Sequence, residues 1–433
     1  MNPDAIVIGA GFAGLSAATA LVARGARVLV LEARPVLGGR ASAVRDPATG
    51  ERIDNGQHIL LGCYDDTLAF LHRIGTANRI RRQASLAVSM IDEGGRQSTL
   101  QLPPLPAPLH LLAGVLAWDA LTWREKASVL RVGVALGSRR RGTVTVHEWL
   151  TAHGQDPRLV ALLWEPLALA ALNQPIRHAA ASTFVEVLAR MFGPDADRAA
   201  LVLPAVPLDE LYAEPARVWL ESRGSAVRTG ARARVHVEHG RAAGASVAGE
   251  VIRSPIVIAA APWFALGSLF DDPPPPLADL LGRAAATEAS PIVTVNLWFD
   301  RPVMRDLLVG LPGRAFQWVF DKGAVFGRAR SHLSLVSSGA SDLVARDNRS
   351  LVETALGEIR DALPEARRAA CVHGNAVRER HATFSLAPNQ PPRPGTETAL
   401  PGLLLAGDWI DTGLPATIES AVVSGHRAAA LAG

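Results

Sequence analysis

Apolar positions recur along this chain with two periods. "AIVIG" (5–9) and "RVLVLEA" (27–33) are nearly unbroken apolar runs of strand length. Runs without polar alternation suit strands covered on both faces, as in a parallel sheet. Between them, "GFAGLSAATALVARG" (11–25) predicts a helix, with small residues early and Gly25 at its end. Strand, helix and strand make one βαβ unit. Helical spacing then governs "WREKASVLRVGVAL" (123–136), "DPRLVALLWEPLALAAL" (156–172) and "STFVEVLARMFG" (182–193).

From 224 to 262 the pattern changes to short β-rich runs separated by glycines, closing on the buried strand "IVIAAAP". "DDPPPP" (271–276) breaks the chain. The strand "PIVTVNLWF" (291–299) follows, and "GLLLAGDW" (402–409) ends as another buried strand. The expected fold class is α/β. A Rossmann-like parallel-sheet domain would be assembled from 1–85, 200–268 and 398–433. An inserted α+β domain would comprise 86–199 and 269–397.

Composition narrows the class. The 433 residues are 48% hydrophobic and 20% charged, which is globular rather than disordered. A net charge of +3 is too small to suggest a nucleic-acid partner. Cys63 and Cys371 fit no metal or redox spacing, so no metal is expected. "AIVIGAG" starts at residue 5, too early to follow a cleaved signal peptide. The apolar stretch 105–121 holds His110 and Asp119 and is short for a membrane span. The expected location is cytoplasmic, with docking on the inner membrane face through part of 100–141. Trp118, Trp123, Arg139, Arg140 and Arg141 are the candidate anchors there.

Gly9, Gly11 and Gly14 form G-x-G-x-x-G at the first strand-to-helix junction. Glycines there allow a tight turn, close approach of a diphosphate and close helix–strand packing. Glu32 ends the second strand 21 residues after Gly11, where a carboxylate accepts ribose hydroxyls and repels a 2′-phosphate. "GGR" (38–40) directs Arg40 to the phosphates. In "DNGQHILLGCY" (54–64), Gly56 permits close backbone approach. His58 has two open readings: a buried histidine satisfied by backbone, or a side chain beside a cofactor ring. In "AGDWIDTGLPATIES" (406–420), Asp408 stands where a strand meets a turn, placed for a ribityl hydroxyl. The helix that follows turns Ile418, Ala421, Val422 and Gly425 inward, and the positive end of its dipole favours electron density on a ring. Both ends of the chain are expected to hold one flavin.

Together these motifs resemble the FAD-dependent amine oxidase and carotenoid desaturase superfamily. "DNGQHILLGCYDDTLAFL" (54–71), "WEPLALAALNQP" (164–175) and "LVLPAVPLDELY" (201–212) are similar to its hydroxysqualene dehydroxylase branch. The resemblance implies FAD as cofactor. It implies contacts from Gly9, Gly11, Phe12, Ala13, Gly14, Glu32, Ala33, Gly39, Arg40, Gly56, Gln57, His58, Ala233, Gly407, Asp408, Thr417 and Ile418. It also implies an oxidoreductase acting on a long isoprenoid, removing the hydroxyl of hydroxysqualene to give squalene for hopanoid synthesis. A carotenoid or phytoene-type desaturase is the alternative enzyme. A non-catalytic prenyl-lipid carrier is the alternative from another class, against which Glu32 and Asp408 argue. His58, and after it Asp54, are expected to protonate the departing oxygen. Many amine oxidases carry a lysine near the flavin on a strand matching "SPIVTVNLWF" (290–299). Val293 stands at about that position here, which argues against an amine substrate. Ile410 and Ser420 replace the family's usual threonine and glycine and are expected to be peripheral.

Overall fold

The computed structural model describes residues 2–106, 108–135, 143–192, 195–328 and 331–433. Its first sheet has five parallel strands, in the order Ala226–Arg228, Val28–Leu31, Ala5–Ile8, Ile256–Ala259 and Leu403–Leu405. The unbroken apolar runs are explained by what covers each face. Ala5, Val7, Val28 and Val30 share a core with the first helix, Phe12–Val22, and the last, Ile418–Leu431. Ile6, Ile8, Leu29 and Leu31 share another with the antiparallel strands Ala233–Glu238, Arg241–Val247 and Glu250–Arg253. Strand order reverses at Ala5–Ile8, and such a switch point opens a crevice at the carboxyl ends of the strands.

The second sheet is mixed and has seven strands. Their order is Cys371–Phe384, Ala289–Phe299, Ser331–Ser338, Trp318–Asp321, Leu308–Gly310, Ala87–Ile91 and Gln97–Gln101. In Ala289–Phe299 the side chains alternate between two interiors. Val293, Val295, Leu297 and Phe299 pack with Leu351, Ala355 and Ile359 of the helix Asn348–Ala362. Ile292, Thr294, Asn296 and Trp298 take the opposite face, by alternation.

The segment 156–172 is helical but not uniform. It passes from Pro157–Leu159 through a π-helical stretch, Val160–Trp164, to Glu165–Leu172. Pro166 lacks an N–H and crowds the carbonyl four residues back, and a widened turn relieves both. The same device recurs at Asp209–Ala213, just before Pro215.

The chain's ends meet through its first and last helices. A Cβ on Gly425 would collide with Ser16 Oγ and the Ala13 carbonyl oxygen. Ser16 Oγ donates to Ala13 O at 3.0 Å and to Val422 O at 3.4 Å. Buried Glu419 reaches across to the helix Asp65–Arg73. It accepts the Asp66 and Thr67 amides at 3.0 and 2.9 Å, capping that helix from outside. Gly425→Ala should therefore overpack this contact and lower stability by about 1–3 kcal/mol, read from urea unfolding. An unchanged midpoint would show that the two helices can part without loss.

Candidate active site

Gly9 leaves the central strand at φ +110°, and a Cβ there would lie 2.6 Å from the Ala260 carbonyl oxygen. A Cβ on Gly14 would collide with the Gly9 carbonyl oxygen, so glycine lets helix and strand close together. Gly11 caps the first helix without any side-chain hydrogen bond among the described residues. The leading amides of that helix thus form an anion cradle. Gly39 lies against it, its own Cβ position 3.3 Å from the Gly11 Cα. Phe12 and Ala13 are buried, and the Phe12 ring stacks on Tyr212 at 3.6 Å. Their side chains serve the core, leaving only backbone for the cradle. Tyr212 in turn donates to Gly38 O at 2.7 Å and to Ala41 O at 2.9 Å, pinning the Gly-Gly-Arg turn.

Glu32 is buried at its strand end. Its Oε2 accepts the Ala10 amide and its Oε1 the Arg34 amide, both at 2.9 Å. A carboxylate accepts about four hydrogen bonds, so sites remain for ribose hydroxyls. Ala33 beside it is exposed. The Ala231 amide donates to Glu32 O at 2.8 Å, bringing the strand that starts at Ala233 alongside. The uncapped cradle and the part-filled carboxylate fit the diphosphate and ribose of FAD.

Arg40 makes a different partnership from the phosphate contact expected of it. It pairs with both Asp408 oxygens, Nη1 at 3.1 Å, and donates to Ala382 O at 3.0 Å. Its guanidinium also lies over Trp263. One arginine thus ties the front turn to the last strand. Gly407 N donates to Ser424 Oγ at 2.8 Å. Thr417 Oγ1 caps the last helix by accepting the Ser420 amide at 3.1 Å, with half-buried Ile418 in the first turn. Ser420 is not peripheral. Its Oγ lies 3.0 Å from Asp408 O and 2.7 Å from Thr412 Oγ1, fastening the Asp408 turn to the helix.

The segment 54–58 departs most from expectation. Asp54 Oδ1 accepts the Leu208 amide at 2.9 Å, and Oδ2 pairs with Lys322 Nζ at 2.8 Å. Both of its oxygens are thus engaged by N–H donors, an arrangement that leaves neither turned to a substrate. His58 Nδ1 lies 3.0 Å from Gly56 O. A carbonyl only accepts, so Nδ1 carries the hydrogen and Nε2 is left as an acceptor. Burial pushes the His58 pKa below 6.5; Asp54 and Gly56 oppose this, and the Lys322 charge adds to it. At neutral pH the imidazole is neutral, an acceptor rather than the expected acid.

Lys322, missing from the sequence expectation, completes this cluster. It stands at the end of the strand Trp318–Asp321, enclosed, and donates to Gln57 Oε1 at 2.6 Å. Val293 does not face this site, since its side chain lies in the core on the far side of its strand. Its neighbour Thr294 does. The fully buried Thr294 Oγ1 has no hydrogen-bond partner among the described residues and lies 3.7 Å from where a Gly56 Cβ would sit. No cluster of His, Cys, Asp and Glu among the described residues could hold a metal ion.

A family model for flavin containing amine oxidoreductase matches residues 12–432. The chain belongs to that family. It is an FAD-dependent oxidoreductase. Hydroxysqualene dehydroxylase from Sinorhizobium fredii is 31% identical, covering 100% of this chain and 99% of its own length. The protein of the same name from Zymomonas mobilis is 28% identical over 98% of each chain. A 15-cis-phytoene desaturase from an Oncidium hybrid is 25% identical, over 98% of this chain and 77% of its own. A crystal structure of an oxidoreductase from Methanosarcina mazei shares the fold, with a TM-score of 0.77 at 16% identity over 98% of this chain and 99% of that one.

Glu32→Ala should weaken FAD binding by about 1–3 kcal/mol, measured by fluorescence titration of the apoprotein. An unchanged dissociation constant would remove Glu32 from the binding surface.

Proposed function

We propose that this flavoenzyme removes the hydroxyl of hydroxysqualene, giving squalene. The observation that carries this reading is end-to-end similarity, at 28–31% identity, to proteins named hydroxysqualene dehydroxylase. The phytoene desaturase is less similar and is matched over a smaller share of its length. The site supplies a second reason. Thr294 Oγ1 and the His58 ring both border Gly56, lying 3.7 Å and, at Cε1, 4.0 Å from where its Cβ would sit. A substrate hydroxyl would satisfy the buried Thr294, whereas a pure hydrocarbon would leave it unpaired at about 1–3 kcal/mol.

When bound in its reduced form, FAD supplies a hydride to the carbon that loses its hydroxyl. The carbon–oxygen bond would break as the hydride arrives, and the departing oxygen would take a proton from solvent and leave as water. The protein's part is to bind and orient. The Gly11–Gly14 amides hold the diphosphate, and Glu32 holds the ribose. Asp408 and the 417–418 turn face the flavin end, and Gly56–His58 lies beside the ring. Neutral His58 accepts the hydroxyl's hydrogen at Nε2, and Thr294 meets its oxygen. The FAD domain would comprise 1–85, 200–268 and 398–433, and the substrate domain 86–199 and 269–397.

A long hydrocarbon substrate is driven out of water into apolar surroundings, and the surface offers a docking face. Leu109, Leu112 and Leu116 are exposed along one side of the helix Leu109–Ala117. Leu105 and Trp123 are exposed on the flanking segments, Trp123 to 75%, with exposed Arg124 next to it in sequence. This is the composition of an interfacial helix on an anionic membrane. Trp118 is no anchor, because it is buried and donates to Ser98 Oγ at 3.2 Å. Arg139, Arg140 and Arg141 lie outside the described residues. No described helix is long and apolar enough to cross a membrane.

Purified protein with FAD and an anaerobic reductant should convert hydroxysqualene to squalene, detected by mass spectrometry. Oxidation of a polyprene with no action on hydroxysqualene would favour the desaturase reading instead. The protein should also float with anionic liposomes at low salt. Leu112→Asp combined with Trp123→Ala should abolish flotation with FAD content unchanged; undiminished flotation would place the contact elsewhere.

A further inference from the structure

Of the 44 lysines and arginines in this chain, only Lys126 and Lys322 are lysines. Lys322 is buried, its side chain 2% exposed, and its charge is matched by an equally buried Asp54. An isolated ammonium in such a place is strongly unfavourable, so the pair must be kept for more than packing or be built to be neutral overall. It is neutral, but it is also oriented. The carboxylate end takes the Leu208 amide. The ammonium end takes Gln57 Oε1 at 2.6 Å and lies 4.0 Å from the centre of the Phe326 ring. The positive end of the pair is thus turned toward the segment Gly56–His58. Gln57 passes the restraint on, its Nε2 donating to His58 O at 3.0 Å.

We propose that Lys322 is a positioning residue for the flavin: anchored by Asp54, it holds Gln57 and presents a fixed positive charge behind Gly56–His58, favouring the reduced ring. This rests on the reading that Gly56–His58 lies against the flavin. The mechanism is electrostatic. Reduction adds negative charge to the ring, and a preorganised cation in a water-poor site lowers its free energy without reorganisation. Lysine suits the position better than arginine. A compact point charge can be satisfied here by one carboxylate, one amide oxygen and one ring face, whereas a guanidinium carries five N–H donors. Arg328 and His332 lie near enough to sense the Lys322 charge, but Arg328 is paired with Glu51 at 3.0 Å and His332 is neutral, its pKa depressed to about 3 by burial and then by Lys322. Neither substitutes for it.

The test is the midpoint potential of FAD bound to the full-length protein, followed by absorbance during anaerobic reduction. Lys322→Met removes the cation and leaves Asp54 unbalanced, so the potential should fall. Asp54→Asn leaves the cation unbalanced, so it should rise. Each shift should amount to at least a tenfold change in the reduction equilibrium, about 30 mV for two electrons. The double variant, Lys322→Met with Asp54→Asn, is neutral again and should return near the wild-type value. Shifts of one sign in both single variants, or no shift beside a lowered melting temperature, would make the pair structural only and overturn the proposal. If Lys322→Met does not fold, Asp54→Asn and the double variant still decide the sign. Gly56→Val separates the two levels of inference. An unchanged flavin spectrum would refute the placement of the segment. A perturbed spectrum without opposed potential shifts would refute the role of Lys322 alone.

Discussion

The contact between the first helix and the last, closed through Gly425, is the constraint on which the site depends. FAD needs its diphosphate and its ring held at the same time. On the proposed reading the diphosphate would lie at residues 9–14 and the ring near the turn 407–418. The Ser16–Val422 hydrogen bond joins positions 406 residues apart. Closing so long a loop is entropically tolerable, since the penalty grows only with the logarithm of length. What it demands is exact seating, because Thr417, Glu419 and Ser420 all ride on the last helix. If that helix shifted, Ser420 would release the Asp408 turn and Glu419 would uncap Asp65–Arg73 together.

Much of this was legible because the physics is local. The strands Ala5–Ile8 and Val28–Leu31 read correctly since both their faces are covered, which removes polar alternation from the sequence. The glycine turn was legible because Gly14 must clear the Gly9 carbonyl oxygen five residues back, although the group that Gly9 itself clears, Ala260, lies far off in sequence. What escaped depends on the fold as a whole. Lys322 meets Asp54 across 268 residues of sequence, and its rarity in an arginine-rich chain was the one available hint. The lowered pKa of His58 follows first from desolvation, which nearby Asp54 and Gly56 oppose and distant Lys322 reinforces, and neither the desolvation nor Lys322 is written near it. Val293 and Thr294 differ by one position, and in a strand one position is the difference between opposite faces. Trp118 and Trp123 look alike as letters, yet one is core and the other is surface.

The seven-stranded sheet carries polar groups where stability alone would ask for apolar ones. His332 Nε2 lies 2.9 Å from Asn296 Oδ1, and the His332 ring stacks on Trp298 at 4.3 Å. Among the described residues His332 Nδ1, Asn296 Nδ2, Trp298 Nε1 and Thr294 Oγ1 find no partner. Buried groups left unpaired in this way are a large penalty for any fold, and functional sites are where such penalties persist. Neutral His332 also makes the sheet sensitive to acid. Its folded pKa of about 3 lies below the ordinary 6.5, so the unfolded chain binds the extra proton, and stability declines as pH falls from 6.5 toward 3.

The same electrostatics bears on which charges the loop Gly56–His58 can tolerate. An amine reaches a flavin site from a pool that is mostly ammonium, and recognition of that cation favours aromatic faces or anions. Here the carboxylate nearest the loop, Asp54, is already consumed by Lys322, and the end of the pair turned to the loop is positive. A second cation at that loop would face like-charge repulsion in a medium of low dielectric, where such repulsion is strong. A neutral alcohol on a hydrocarbon chain meets no such barrier.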